Sequence, residues 1–242
     1  MKTSSSREIF KFNVTNSVLA VVAALAFLLL LPAQQAHATS ITTLFNTGVN
    51  ATGEPLSDGT IGDPHYSLIT APPTSALDIR VRTSAGGFPI PPWVGDDSVS
   101  AWIGPNNDAQ VDGPVGSYDY RITFDLSGLN PSTASISGLW ATDNEGSDIL
   151  LNGKSTGNKS VGFTAFTSFS IPLGSLFVSG LNTLDFLVHN DGGNTGLRVE
   201  MTGQALPVGV PDSSSTLTLL SISVGPLLVA CRRMKKEAAL VA

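Results

Sequence analysis

Trp93 stands three residues ahead of Asp96 and Asp97, in the proline-rich stretch Gly-Gly-Phe-Pro-Ile-Pro-Pro-Trp-Val-Gly-Asp-Asp from Gly86 to Asp97. An indole offers an apolar face to the C–H face of a sugar ring, and neighbouring carboxylates accept its hydroxyl hydrogens. Rigid prolines would hold such a ring in solvent at small entropic cost. Trp93, Asp96 and Asp97 are therefore the candidate glycan-contact edge, the other reading being that Trp93 folds back to seal one end of the domain. A second set of oxygen donors lies in Thr142 to Asp148, with Asp143, Asn144, Glu145 and Asp148. Loops of this kind suit calcium, which takes about six to eight oxygen ligands. Asp143 and Asp148 are the candidate calcium pair, although the spacing is not that of an EF-hand and Asp and Asn are common in turns. Beyond a structural calcium no cofactor is expected.

Catalytic signatures are missing. There is no His-Glu-x-x-His pair, phosphate loop or dinucleotide fingerprint. His37 falls in the leader described below. His65 follows Asp63-Pro64 at the start of a strand, where a structural role is expected, and His189 shares the outward parity of Asp185 and Leu187. The lone cysteine, Cys231, lies near the end of the chain, so the central region has neither a disulfide nor a thiol nucleophile. The expectation is a protein that is not an enzyme.

The elements that position these residues sit between two apolar segments. Lys2, Arg7 and Lys11 precede the uninterrupted apolar run Val18 to Leu31, and Pro32 and Ala36-His37-Ala38 follow it. This is the layout of a secretory signal peptide, with cleavage expected after Ala38. At the other end, residues 208–216 form a linker, and 217–242 a short apolar helix with a basic tail. The run Leu217 to Cys231 would be roughly 22 Å long as a helix, against about 30 Å for a bilayer core. Between Thr39 and Pro207 there are sixteen acids and six bases, a net charge of −10. Such a body repels nucleic acid and anionic membrane surfaces.

Residues 39–207 read as strands. Tyr118, Tyr120, Ile122, Phe124 and Leu126 alternate with Asp119, Arg121, Thr123 and Asp125, a period of two that places each set on its own side of a half-buried sheet. Leu184, Phe186 and Val188 repeat the pattern, as do Leu197, Val199 and Met201. Shorter runs bring the total to about ten strands, punctuated by turns such as Asn152-Gly153 and Asp191-Gly192-Gly193-Asn194. No helical period of useful length interrupts them, which predicts an all-β sandwich or jelly roll. Trp140 shares parity with Ile136 and is expected in the core, while Trp102 is assigned to core or rim. The three prolines ahead of Trp93 predict a long ordered loop over one sheet edge.

From Thr142 to Asn190 the order is a strand, an Asn-Gly turn, a glycine-containing polar loop, an aromatic strand and Gly-Leu-Asn-Thr-Leu leading into a long strand. It resembles the galactose-binding-like jelly rolls of carbohydrate-binding modules. The matching residues are Leu151, Asn152, Gly153, Gly157, Gly162, Phe166, Phe169, Gly180, Asn182 and Leu184. These are turn and core positions, so the resemblance implies the fold more than a ligand.

The tail, with Val210-Pro211-Asp212-Ser213, an apolar run and the basic cluster opened by Arg232 and Arg233, resembles the PEP-CTERM class of sorting signals in its Val-Pro-Asp-Ser variant. That resemblance implies an exosortase-type transpeptidase as partner and export through the inner membrane of a Gram-negative-type bacterium. It also implies a transient membrane anchor, then release to the cell surface or extracellular matrix. The basic cluster would remain cytoplasmic by the positive-inside rule. The function expected is that of a non-catalytic surface or matrix protein contacting extracellular polysaccharide. The alternatives are a structural or protein-binding matrix component without sugar affinity, and more remotely a secreted glycosidase.

Overall fold

The computed structural model describes residues 37–107, 112–174 and 176–209. The leader upstream of His37, the sorting motif from Val210 onward and the apolar tail lie outside them. Among the described residues no helix is long and apolar enough to cross a membrane, and helix is limited to two 3-10 turns, Ser84–Gly86 and Pro131–Thr133.

Among the described residues eleven strands follow in chain order. They are β1 (Thr39–Ser40), β2 (Tyr66–Thr70), β3 (Ile79–Arg82), β4 (Trp102–Pro105), β5 (Gly116–Asp125), β6 (Ser135–Asp143), β7 (Glu145–Leu151), β8 (Lys154–Ser155), β9 (Thr167–Ile171), β10 (Leu181–Asn190) and β11 (Gly196–Ala205). A six-stranded sheet has the order β3-β4-β11-β6-β9, with β1 also paired to β11. A five-stranded sheet has the order β2-β5-β10-β7-β8. All pairings are antiparallel. Strands β5, β6, β7, β9, β10 and β11 alternate between the sheets, apart from the short β8 hairpin arm after β7. Almost every sheet neighbour is therefore distant in sequence, as in a jelly roll.

The alternation in the sequence is what builds the core. Tyr118, Tyr120, Ile122 and Phe124 of β5 face Leu184, Phe186 and Val188 of β10 on one sheet, and Leu197 and Val199 of β11 with Trp140 of β6 on the other. All are nearly inaccessible, and Trp140 and Phe186 meet across the interior with centroids 5.8 Å apart. Trp140 is thus in the core, as its parity predicts. The β7–β8 hairpin closes at Asn152-Gly153, both at positive φ, because Leu151 pairs with Lys154 and leaves only those two residues for the turn.

One expectation needs amending. The proline-rich loop does not lie over an edge. It crosses the outer face of the six-stranded sheet and is referred to below as the strap.

Candidate functional site

Outward positions of the six-stranded sheet carry Trp102 of β4, Ala141 of β6 and Arg198 of β11, opposite in parity to the core residues Ile103, Trp140 and Val199. The strap covers them. Trp93 lies 4.5 Å from Trp102, 4.3 Å from Phe88 and 5.5 Å from Phe163, centroid to centroid. The Trp102 indole N–H donates to the carbonyl of Val94 at 2.9 Å. Trp93 is consequently only 8% exposed. Of the two readings of this indole the buried one holds, because the sheet beneath already exposes a second indole and the two rings shield each other from water. Its role is the sealing one.

The two aspartates behind it are also engaged within the protein. Asp96 Oδ2 accepts from the backbone N–H and hydroxyl of Ser84 at 2.8 and 2.6 Å. Asp97 Oδ1 accepts from the N–H groups of Val99 and Ser100, and its Oδ2 lies 2.7 Å from Arg198 Nη2 as an ion pair. Burial works to raise the Asp97 pKa, but those N–H groups and the Arg198 charge outweigh it and hold the carboxyl below its ordinary value. Arg198 is fully buried. Its Nε donates to Ser100 Oγ at 2.7 Å, its Nη1 donates to the carbonyl of Gly95, and its guanidinium lies 5.3 Å from the Phe166 ring centre. Trp93, Asp96 and Asp97 are therefore neighbours on one strap, but the structure uses them to fasten it.

Nor does the expected calcium pair converge. Asp143 ends β6 on one sheet and Asp148 lies on β7 of the other. Asp148 caps the β7–β8 hairpin, taking hydrogen bonds from the N–H groups of Ile149 and Gly157 and from the Ser155 hydroxyl. Asp143 is buried, and its Oδ1 has no hydrogen-bond partner. Burial pushes its pKa up to about 7. Among the described residues no group of three or more His, Cys, Asp or Glu gathers to hold a metal.

The open site lies on the other sheet. A groove of about 430 Å³ runs along the outer face of β2 and β5, lined by Thr43, Phe45, Pro64, His65, Ser67, Ile69, Arg121 and Thr123. The rings of Phe45 and His65 stack in parallel, centroids 3.6 Å apart and 4° from coplanar. Asp63 sets that geometry. Its Oδ1 accepts from the N–H groups of His65 and Tyr66 at 2.8 and 3.0 Å, and its Oδ2 accepts from Gly48 at 2.7 Å. Burial raises the Asp63 pKa against the pull of those three N–H groups. His65 Nε2 lies 3.1 Å from the Asn50 carbonyl, and the Tyr66 hydroxyl donates to the Phe45 carbonyl at 3.0 Å. Thr43 Oγ1 accepts from the N–H of Asp125 at 2.9 Å, which ties the rim to the end of β5.

The groove floor is charged but balanced. Arg121 donates Nε to Asp185 Oδ1 at 2.6 Å and Nη2 to Oδ2 at 2.9 Å, a two-pronged pair across the β5–β10 register. The Asp185 side chain is 2% exposed and that of Arg121 37%, so the anion is buried and the cation reaches the groove. On the same face Asp119 has a buried Oδ1 without a partner. Its pKa is pushed up to about 6 by burial and by Asp185, against Arg121. The result is a surface of aromatic rings, hydroxyls and a fixed guanidinium, suited to binding a polar ligand with apolar faces. His65 entered the sequence reading as structural, and it does fill that role. Phe45, Arg121 and Thr123 were passed over. Two signals were available: Arg121 and Asp185 both stand at outward parity on neighbouring long strands, and Phe45 precedes the first Asn-rich turn.

Comparison with solved structures finds distant likenesses. The CBM36-1 domain of a multidomain xylanase from the hindgut metagenome of Trinervitermes trinervoides is similar at 13% identity and TM-score 0.29, over 47% of this chain and 82% of that one. CBM35 from Paenibacillus barcinonensis is similar at 15% identity and TM-score 0.32, over 59% and 98%. The GH26-CBM35 beta-(1,4)-mannanase of Podospora anserina is similar at 15% identity and TM-score 0.31, over 64% of this chain and 29% of the mannanase. No protein-family model and no curated protein matches the chain. Ligand and activity do not transfer across likenesses this distant.

Proposed function

We propose that the sandwich is the non-catalytic module of an exported surface or extracellular-matrix protein and contacts exopolysaccharide through the groove on β2 and β5. The observation that carries this reading is the groove itself. A stacked ring pair stands beside three hydroxyls and a guanidinium held in place by a buried carboxylate, on a face open to solvent. Rings take the C–H faces of a sugar, and the fixed donors and hydroxyls take its oxygens. Export is supported by the leader. Sorting by an exosortase-type transpeptidase is supported by Val210-Pro211-Asp212-Ser213, the short apolar run and the arginines Arg232 and Arg233.

Two measurements test this function. Binding of the native exopolysaccharide should fall about tenfold or more in Phe45→Ala and in Arg121→Ala, each tenfold being about 1.4 kcal/mol, while folded Trp93→Ala binds normally. Equal binding by all three would remove the groove from the function. Mass spectrometry of the exported protein should find a start near Thr39 and nothing beyond about Pro211. Retention of Arg232 to Lys236 would make the tail an ordinary anchor.

A further inference from the structure

We infer that the end of the sandwich from which the chain departs rests on the surface of a zwitterionic bilayer while the tail is inserted, with Leu173, Leu176, Val178 and Leu181, between β9 and the start of β10, as the lipid contact. This rests on the proposed role of the tail. Leu173, Leu176 and Val178 in the β9–β10 loop and Leu181 at the start of β10 are 64%, 49%, 48% and 70% exposed. From Pro172 to Leu184 the chain carries no charged residue, in a body of net −10. Exposed apolar side chains this close together mark an interaction surface.

They are held out. Phe177 packs against the core, 6.4 Å from Phe124. The loop backbone is fastened by Asn152 Nδ2 to the Leu176 carbonyl at 2.9 Å and by the Val178 N–H to Asn182 Oδ1 at 2.9 Å. Asn182 is fully buried, so the loop cannot turn its leucines inward without losing these bonds.

The point of departure makes lipid the partner. Leu181 pairs with Asp125, and Leu126 N–H donates to the Gly180 carbonyl. Val208 N–H donates to the Gly128 carbonyl, so the chain leaves this same end at Val208, itself 58% exposed. Thr39 pairs with Ala205, which puts the start of the body there as well. From Val210 to Thr216 seven residues remain before the apolar run, spanning at most about 25 Å when extended. An inserted tail therefore keeps this end within reach of the headgroups. Because the loop carries no cation and the body is acidic, the surface it suits is zwitterionic rather than anionic.

The test uses the full chain reconstituted in phosphatidylcholine vesicles, in a Cys231→Ser background with single cysteines Leu176→Cys, Leu181→Cys or Val161→Cys. Each carries an environment-sensitive fluorophore, and the vesicles contain a lipid with a quencher near the headgroup. Val161 is 79% exposed and stands near the end of β6, away from the departing chain, so it serves as the control. Labels at 176 and 181 should shift to the blue and be quenched severalfold more than the label at 161. A label on native Cys231 reports the tail separately. Quenching at Cys231 with none at 176 and 181 overturns the inference and leaves the tail reading standing. No quenching at 176, 181 or 231 overturns both.

Discussion

On the six-stranded sheet the outward side chains include Trp102, Ala141 and Arg198, and the strap lies over them. On the five-stranded sheet they include Ser67, Ile69, Arg121 and Thr123, and they border an open groove. Each face thus has an arginine with a carboxylate partner. The difference is where the partner comes from. Arg121 finds Asp185 directly across the ladder on its own sheet, so the pair is complete without any cover. Arg198 finds Glu200 on its own strand only at 3.6 Å, and its closer contacts to Asp97 and Gly95 come from the strap. A guanidinium desolvated by a loop must be satisfied by that loop. The strap and Arg198 therefore hold each other, and the groove is left free for a ligand.

The sharpest way to break this contrast is Arg198→Ala. It removes the buried cation and leaves Asp97 and Glu200 facing a void, so a loss of about 3–5 kcal/mol is expected in chemical unfolding. A red shift of tryptophan emission should accompany it as the strap loosens. Unchanged stability would mean that the strap is held without the arginine. Trp93→Ala should cost about 3 kcal/mol by opening a cavity against Trp102 and Phe163, seen as a lower melting temperature with polysaccharide binding intact. On the open face Arg121→Ala should cost less, about 1–3 kcal/mol, through the unpaired buried Asp185; a loss as large as that of Arg198→Ala would erase the distinction between the two pairs.

A pH series sharpens the comparison further. Asp119 and Asp143 have pKa values pushed up to about 6 and about 7 from an ordinary 3.8. A carboxyl raised in the folded state holds its proton more tightly there, so its contribution to stability is complete below about pH 4. That contribution is lost as pH climbs through 6 for Asp119 and through 7 for Asp143. Asp143→Asn should flatten the decline between pH 4 and pH 8 and raise the melting temperature at pH 8. An unaltered slope would show that Asp143 does not carry it. The smallest stability effect expected is that of His65→Ala, about 1 kcal/mol or less, with polysaccharide binding as the property that changes.

Much of the frame was legible because a strand's period of two is a local property. The residues of β5, β10 and β11 alternate in the sequence as they do between core and surface. The Asn152-Gly153 turn follows from two residues that tolerate positive φ. The parity of Trp140 placed it in the core for the same reason. The same parity puts Trp102 and Arg198 outward, on a face that an indole and a guanidinium could not share with water at no cost. That sign of a cover was present; the solvent reading of Trp93 followed the stiffness of the prolines, and the sealing reading stood beside it. Asp143 and Asp148 were paired because they are close along the chain, but adjacent strands of a jelly roll belong to opposite sheets.

The sequence by itself determined which side of each strand is apolar, where the chain must turn, and that the body is an acidic β-sandwich without a cysteine. Those properties depend on neighbours within a few residues. Only the tertiary structure decided that the strap crosses the sheet and that Trp93 meets Trp102. It also decided that Phe45 and His65 stack beside an arginine whose partner lies 64 residues away. These are contacts between segments brought together when the sheets close, and their energies come from burial and from pairing across strands that no local pattern encodes.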